Sequence, residues 1–311
     1  MAADYSQSST KTLLIILSIF IAFSLFNFRS SEACGVSTYW GQKSSQGSLQ
    51  ELCETGYFKY VNIGFLSQFG CGRTPVLNLD GHCDPSSGAC TSLSAEIRSC
   101  QSLDIKVQLS LGGPLGNYGL CSADDAHGLV SYLLRTYLAP GATGPLGDAP
   151  LDGIDLAIEN TYSTLYWDDL VTDLATIIGL PKKVYLSAAP SCPYPDPILG
   201  KAIGTGHVDN VWVKLYDNAQ CDCDAGIPNV LASWLEWSHS LPAASQLFFG
   251  LAPNSQCPLD QILAAIKLST NYGGVMLSGG INDYPDIPHI HTAACGYQTL
   301  SREGSLMSMV D

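Results

Sequence analysis

Positive charge is scarce in this chain: 14 lysines and arginines face 28 aspartates and glutamates, for a formal net charge of −14 at neutral pH. A surface so short of cations suits polyanions poorly. Nucleic acid and anionic membrane surfaces are therefore not expected as partners, while neutral sugars, cationic ligands and basic proteins stay open. Asn-x-Ser/Thr sequons are absent, so no N-glycosylation is expected. Cys-x-x-Cys pairs are missing too, and neither Cys221-Asp222-Cys223-Asp224 nor His289-Ile290-His291 has the spacing of a zinc site. The acids Asp217, Asp222 and Asp224 do not follow the EF-hand pattern. No metal and no cofactor are predicted. No Gly-x-Gly-x-x-Gly turn follows the first apolar β-rich run, residues 35–40, which counts against a doubly wound dinucleotide-binding sheet.

Long hydrophobic runs are confined to the N-terminus. A polar start with Lys11 leads into an apolar stretch from Leu13 to Phe26, broken by Ser18 and Ser24, and then to the small-x-small triplet Ser31-Glu32-Ala33. This is the pattern of a secretory signal peptide, residues 1–33, rather than a retained membrane anchor. Its removal takes away Asp4, Glu32, Lys11 and Arg29, two of each sign, so residues 34–311 keep the charge of −14. All 12 cysteines lie beyond it. An even number of cysteines in a chain bound for an oxidising compartment predicts disulfides.

Eight short apolar runs alternate with longer stretches: 35–40, 60–66, 105–111, 151–158, 183–188, 210–216, 246–251 and 273–277. The intervening segments 123–138, 163–178, 229–240 and 259–268 carry apolar residues at helical spacing. Alternating strand and helix implies a parallel sheet, and eight such units in about 275 residues match a closed (β/α)₈ barrel, an α/β TIM barrel. Nothing marks a linker or a second domain, so residues 34–311 are expected to form one disulfide-stabilised domain. The Gly- and Pro-rich segment 140–150 is expected to be the loop feeding the fourth strand.

That fourth run is the chemically richest. In Asp152-Gly153-Ile154-Asp155-Leu156-Ala157-Ile158-Glu159, strand alternation aims Gly153, Asp155, Ala157 and Glu159 at one face. Glu159 then stands where a barrel strand ends and its loop begins, the place where active residues gather. A carboxyl group there can serve as a general acid.

Asp152, Gly153, Asp155 and Glu159 align with an Asp-Gly-x-Asp-x-Asp-x-Glu motif, and through them the chain resembles the plant class III chitinases of glycoside hydrolase family 18. Similarity extends through Tyr39-Trp40-Gly41-Gln42, Val61-Asn62-Ile63-Gly64-Phe65-Leu66, Ser110-Leu111-Gly112-Gly113, Leu165-Tyr166-Trp167-Asp168-Asp169-Leu170 and Gly273-Gly274-Val275-Met276-Leu277. The resemblance implies a retaining mechanism in which Glu159 protonates the glycosidic oxygen while the substrate's own acetamido oxygen attacks, outside the two-carboxylate scheme. Asp155 and Tyr216 are implied as its catalytic partners. Tyr39, Gln42, Phe65 and Asn78 are implied as sugar contacts, against barrel packing for Tyr39 and Phe65 and loop capping for Gln42 and Asn78. For Tyr216 the alternative is a buried core tyrosine.

Several positions depart from the family. The last aspartate of the motif, which holds the acetamido nitrogen and balances the developing cation, is Ala157 here. Losing one such partner typically costs about two to three orders of magnitude in rate. Lys214 replaces a polar amide; beside Glu159 it would favour the ionised carboxylate and leave a poorer proton donor, or it fills the space left by the aspartate, or pairs with Asp155. Asp217 is a further altered position. After Val275-Met276-Leu277 the family places a tryptophan under the reacting sugar, and this chain has Ser278-Gly279-Gly280, losing an aromatic platform.

The resemblance also implies the disulfides Cys53 with Cys100, Cys83 with Cys90, and Cys192 with Cys221. In the barrel reading, Cys71 with Cys121 and Cys223 with Cys257 lie on adjacent loops, leaving Cys34 with Cys295. The expected function is that of a secreted, monomeric chitinase-like protein, extracellular (apoplastic) or vacuolar. It would recognise chitin or chito-oligosaccharide with weak or lost hydrolysis. An active acidic endochitinase in chitin breakdown and defence is the alternative, as is a lectin, a storage protein or an inhibitor whose partner is another glycosidase such as a xylanase.

Overall fold

Apolar strands buried on both faces can be satisfied only by a layer of side chains within and a layer of helices without. The computed structural model describes residues 34–296 apart from Ile178 and Asn254; the expected signal peptide, residues 1–33, lies outside them. Among the described residues ten strands run in chain order: β1 (Gly35–Trp40), β2 (Tyr60–Gly70), β3 (Arg73–Leu77), β4 (Lys106–Gly112), β5 (Asn117–Tyr118), β6 (Gly153–Ala157), β7 (Tyr185–Ala188), β8 (Asn210–Lys214), β9 (Gln246–Leu251) and β10 (Tyr272–Leu277). Eight of them pair in parallel from β1 through β2, β4, β6, β7, β8, β9 and β10, and β10 pairs again with β1. The sheet is a closed (β/α)₈ barrel.

Around it stand α1 (Leu49–Glu54), α2 (Leu93–Ser102), α3 (Ala123–Leu133), α4 (Trp167–Ala175), α5 (Gly200–Gly204), α6 (Ile227–Ser240), α7 (Leu259–Ile266) and α8 (Ile287–Cys295). Local chemistry starts several of them. Ser48 and Glu51 form a capping box on α1, and the Ser122 hydroxyl accepts the Asp125 N–H at the head of α3. None of the described helices is long and apolar enough to cross a membrane.

Several expected boundaries move, three of them with consequences for the site. The second run continues as a long strand to Gly70 and folds back as β3, an antiparallel hairpin that the sequence reading did not foresee. Its turn is made by Gly70, Cys71 and Gly72, all with positive φ (71°, 52° and 77°). The helix expected over 163–178 begins only at Trp167, because Tyr166 adopts a left-handed φ of 69° and the Trp167 indole N–H donates to the Ser163 carbonyl. The run 210–216 ends as a strand at Lys214, whose N–H donates to the Pro190 carbonyl, so Tyr216 belongs to the loop beyond.

Inside the barrel, Tyr39, Ala157, Ala189, Trp212, Phe248 and Met276 form a buried cluster, with Tyr60, Phe65 and Tyr216 packed against it. Five disulfides join Cys53–Cys100, Cys71–Cys121, Cys83–Cys90, Cys192–Cys221 and Cys223–Cys257. Cys34 and Cys295 are each disulfide-bonded as well. Asp125 braces the Cys71–Cys121 link by accepting the backbone N–H of both cysteines, at 2.6 and 3.0 Å. The sulfur atoms of that group are bonded to one another, so it offers no thiolate to a metal.

Candidate active site

Parallel register sets Ser110 of β4 beside Asp155 of β6, and Asp155 beside Ser187 of β7. All three therefore point into the barrel at one level. Asp155 is wholly buried and accepts four hydrogen bonds. Oδ2 receives the hydroxyls of Ser110 (2.6 Å) and Tyr39 (3.1 Å), and Oδ1 receives the Ser187 hydroxyl (2.6 Å) and the Trp212 indole N–H (2.8 Å). Burial raises its pKa, and the side-chain donors pull the other way. The Tyr39 phenol is pushed far up by burial first and by Asp155 second. Asp155 does not line the cavity above it, which places the expected proton-handling partner beneath the floor. Of its four hydrogen-bond partners, Tyr39 alone lines that cavity.

Glu159 lies two residues past the end of β6. Its backbone N–H donates to the Tyr118 hydroxyl at 3.0 Å, that hydroxyl donates to the Gly113 carbonyl at 2.8 Å, and the Gly113 N–H donates to the Ala157 carbonyl at 2.9 Å. Gly113 has φ +82°, and a Cβ there would come within 2.4 Å of the Phe65 ring. A side chain at that position would push Phe65 out of the wall.

The Lys214 ammonium donates to Glu159 Oε1 at 3.0 Å, with the lysine side chain 13% exposed and the glutamate 33%. Of the three roles open to Lys214 from sequence, pairing with Glu159 is the one observed. The acceptors of Asp155 are taken by other donors.

One cavity of about 220 Å³ gathers most of the expected site residues: Tyr39, Gln42, Phe65, Ala157, Glu159, Lys214, Tyr216, Asp217 and Ser278, together with Pro114 and Ala189. Asn78 is not among them. It faces the adjoining cavity, which shares Gln42, Phe65 and Pro114 with the first. Ala157 and Ala189 present methyl groups to the cavity, the first where the resemblance implied a hydrogen-bonding aspartate. Gln42 donates from Nε2 to the Gly64 carbonyl at 3.0 Å. Burial raises the Tyr216 phenol, and the neighbouring Ser278 side chain opposes the shift. Tyr284, whose pKa burial pushes up to about 12, donates its hydroxyl to the Leu251 carbonyl at 2.6 Å and accepts the Gly279 N–H at 3.4 Å. Ser278 lines the cavity as a small polar side chain at the place where the resemblance implied an aromatic floor.

Four residues that organise the site were not foreseen as doing so: Ser110, Ser187, Trp212 and Tyr118. Inward alternation on their strands is the signal that could have found the first three. The two-residue strand carrying Tyr118 has no such pattern.

The chain is similar in sequence and in structure to several known proteins. An acidic endochitinase of Vitis vinifera is 45% identical over 280 residues, covering 85% of this chain and 91% of the relative. The crystal structure of the ICChI chitinase from Ipomoea carnea superposes with a TM-score of 0.75 at 40% identity, over 83% of this chain and 98% of that one. The xylanase and alpha-amylase inhibitor protein from Scadoxus multiflorus superposes with a TM-score of 0.74 at 33% identity, over 84% and 97%. The model of the glycosyl hydrolases family 18 matches residues 36–277, from the first barrel strand to the last, and the chain belongs to that family.

Proposed function

We propose that this protein is a chitinase-like carbohydrate-binding protein that takes N-acetylglucosamine polymers in the cleft around Glu159 and hydrolyses them weakly or not at all. The observation that carries this reading is the pairing of a methyl group at Ala157 with the 3.0 Å contact of Lys214 on Glu159. A substrate-assisted reaction needs an acceptor for the acetamido N–H and a carboxyl group free to deliver a proton. Ala157 presents a methyl group where that acceptor is implied and Glu159 is engaged by Lys214, while Tyr39, Gln42, Phe65 and Tyr216 still line the cavity, where they would contact the sugar. On this reading the protein is secreted, to the extracellular space or the vacuole, after loss of residues 1–33.

The test is chito-oligosaccharide binding measured beside turnover, for the native protein and for Ala157→Asp combined with Ser278→Trp. The native protein is expected to bind without appreciable cleavage. The double variant is expected to gain about 100-fold or more in turnover, the worth of one well-placed electrostatic partner. Brisk cleavage of chitin by the native protein, abolished by Glu159→Gln, would overturn the reading in favour of a working endochitinase.

A second reading, inhibition of another glycosidase, rests on the likeness to the Scadoxus inhibitor and on exposed apolar groups in loops beyond the barrel strands. Leu115 is 97% exposed, Tyr162 65% and Leu165 50%. Titration against a xylanase separates the two.

A further inference from the structure

The cavity at Glu159 is the middle of three. It shares Gln42, Phe65 and Pro114 with one neighbour, and Tyr216 and Asp217 with another on the opposite side. Each measures about 190 to 220 Å³, below the roughly 300–1,000 Å³ of a pocket that encloses a whole small ligand. Together they suit an extended chain laid across all three.

Charge along this trough is one-sided. Its carboxylate and ammonium groups are Asp80 in the first cavity, Glu159, Lys214 and Asp217 in the middle, and Asp222 in the third. The only cation of that set, Lys214, is engaged by Glu159, and Lys43, next to Gln42, is held by Asp283 at 2.6 Å. Asp222 is occupied with the backbone N–H groups of Ala225 and Asn218. Asp80, Asp217 and the second oxygen of Glu159 remain, and neither Asp80 nor Asp217 enters an ion pair among the described residues. Both are exposed and stand at left-handed backbone positions, φ 43° and 56°. Aspartate is one of the few side chains that visit that region readily.

On the reading that this trough is a sugar cleft, the geometry points to an amine-bearing hexosamine chain, a partly or wholly deacetylated N-acetylglucosamine polymer, as its preferred ligand. Deacetylation replaces a neutral amide with an ammonium group. The amide forgoes little, because Ala157 presents no acceptor to its N–H. The ammonium gains the unpaired carboxylates on either side, and complementary charge of this kind sets which partner is favoured.

Calorimetric titration with a glucosamine tetrasaccharide and an N-acetylglucosamine tetrasaccharide, at mildly acidic pH and low salt, tests the assignment. The amine tetramer is expected to bind more tightly, with the preference shrinking as salt is added. Asp80→Asn and Asp217→Asn, which keep a residue tolerant of the left-handed backbone, should each reduce the preference by roughly 1.5- to 5-fold. Glu236→Gln removes the same unit of charge from an exposed position on α6 that lines none of the three cavities, and it should leave the preference intact. Equal or tighter binding of the acetylated tetramer would overturn the assignment. So would a loss of preference in Glu236→Gln matching that in Asp217→Asn, since the trough would then have no part in it. Binding of neither tetramer would overturn the sugar-cleft reading itself, and this assignment with it.

Discussion

Lys214 and Glu159 form the decisive contact at the level of single residues. A general acid must present a proton to its substrate, whereas Glu159 presents one oxygen to an ammonium 3.0 Å away. The lysine side chain is mostly shielded from water and the glutamate partly so, which keeps the attraction from being as weak as at an open surface. Ala157 and Lys214 then act on different steps, one through a missing acceptor and the other through an engaged donor. Restoring only the acceptor leaves the donor engaged. Lys214→Gln in an Ala157→Asp background is therefore expected to turn over chito-oligosaccharide at least about 10-fold faster than Ala157→Asp alone, a difference worth about 1.4 kcal/mol in the barrier. Equal initial rates for the two variants would show that the ion pair does not limit Glu159.

Among the elements, the two-residue strand β5 does more for the site than its length implies. It pairs with the far end of β2, and its Tyr118 ring stacks on Phe69 at 5.4 Å. The Tyr118 hydroxyl links the Gly113 carbonyl after β4 to the Glu159 N–H after β6. Tyr118→Phe keeps the ring and removes both hydrogen bonds. Each is worth about 0.5–1.5 kcal/mol net, so a loss of roughly 1–3 kcal/mol is expected in urea unfolding. The Glu159 amide should also exchange with solvent faster than in the parent, and unchanged protection there would show that other contacts hold the β6 exit. Much of the element order was legible before the structure. The eight apolar runs became the eight barrel strands because burial on both faces writes itself as continuous hydrophobicity. β3 and β5 escaped because half or more of their residues are not buried and their pairing depends on a partner rather than on their own pattern. In the site, Ala157, Lys214 and Ser278 could be singled out only against a family motif. The partners of Asp155 were hidden because they come from 32, 45, 57 and 116 residues away, a proximity that closure of the barrel creates.

For the whole molecule, the same shortage of cations that counts against polyanionic partners bears on stability against pH. With a formal charge of −14 at neutral pH, the compact state repels itself, and the repulsion eases as carboxylates take up protons. Asp155 acts in the same direction. Burial raises its folded-state pKa above the unfolded value, so its contribution is fully present below the unfolded value and is lost as pH rises through the folded one. Surface carboxyls oppose this. Asp148 is lowered by Arg98 and Ser94, Asp104 by Lys106, Asp84 by Ser86 and Glu51 by Ser48. Their contributions are present above the unfolded carboxylate range, near about pH 4, and disappear as pH falls through their lowered folded values. Between the two limbs the urea midpoint is expected to peak at about pH 5, to fall steeply below about pH 4 and to decline gently towards alkaline pH. Added salt should raise the midpoint on the alkaline side more than at the peak, because screening acts on the net repulsion, and Asp155→Asn should remove the loss of stability that sets in as pH rises from the unfolded carboxylate value through the raised value of Asp155. A midpoint that climbs steadily from acid to alkaline pH would mean that the lowered surface carboxyls outweigh both the buried aspartate and the net charge.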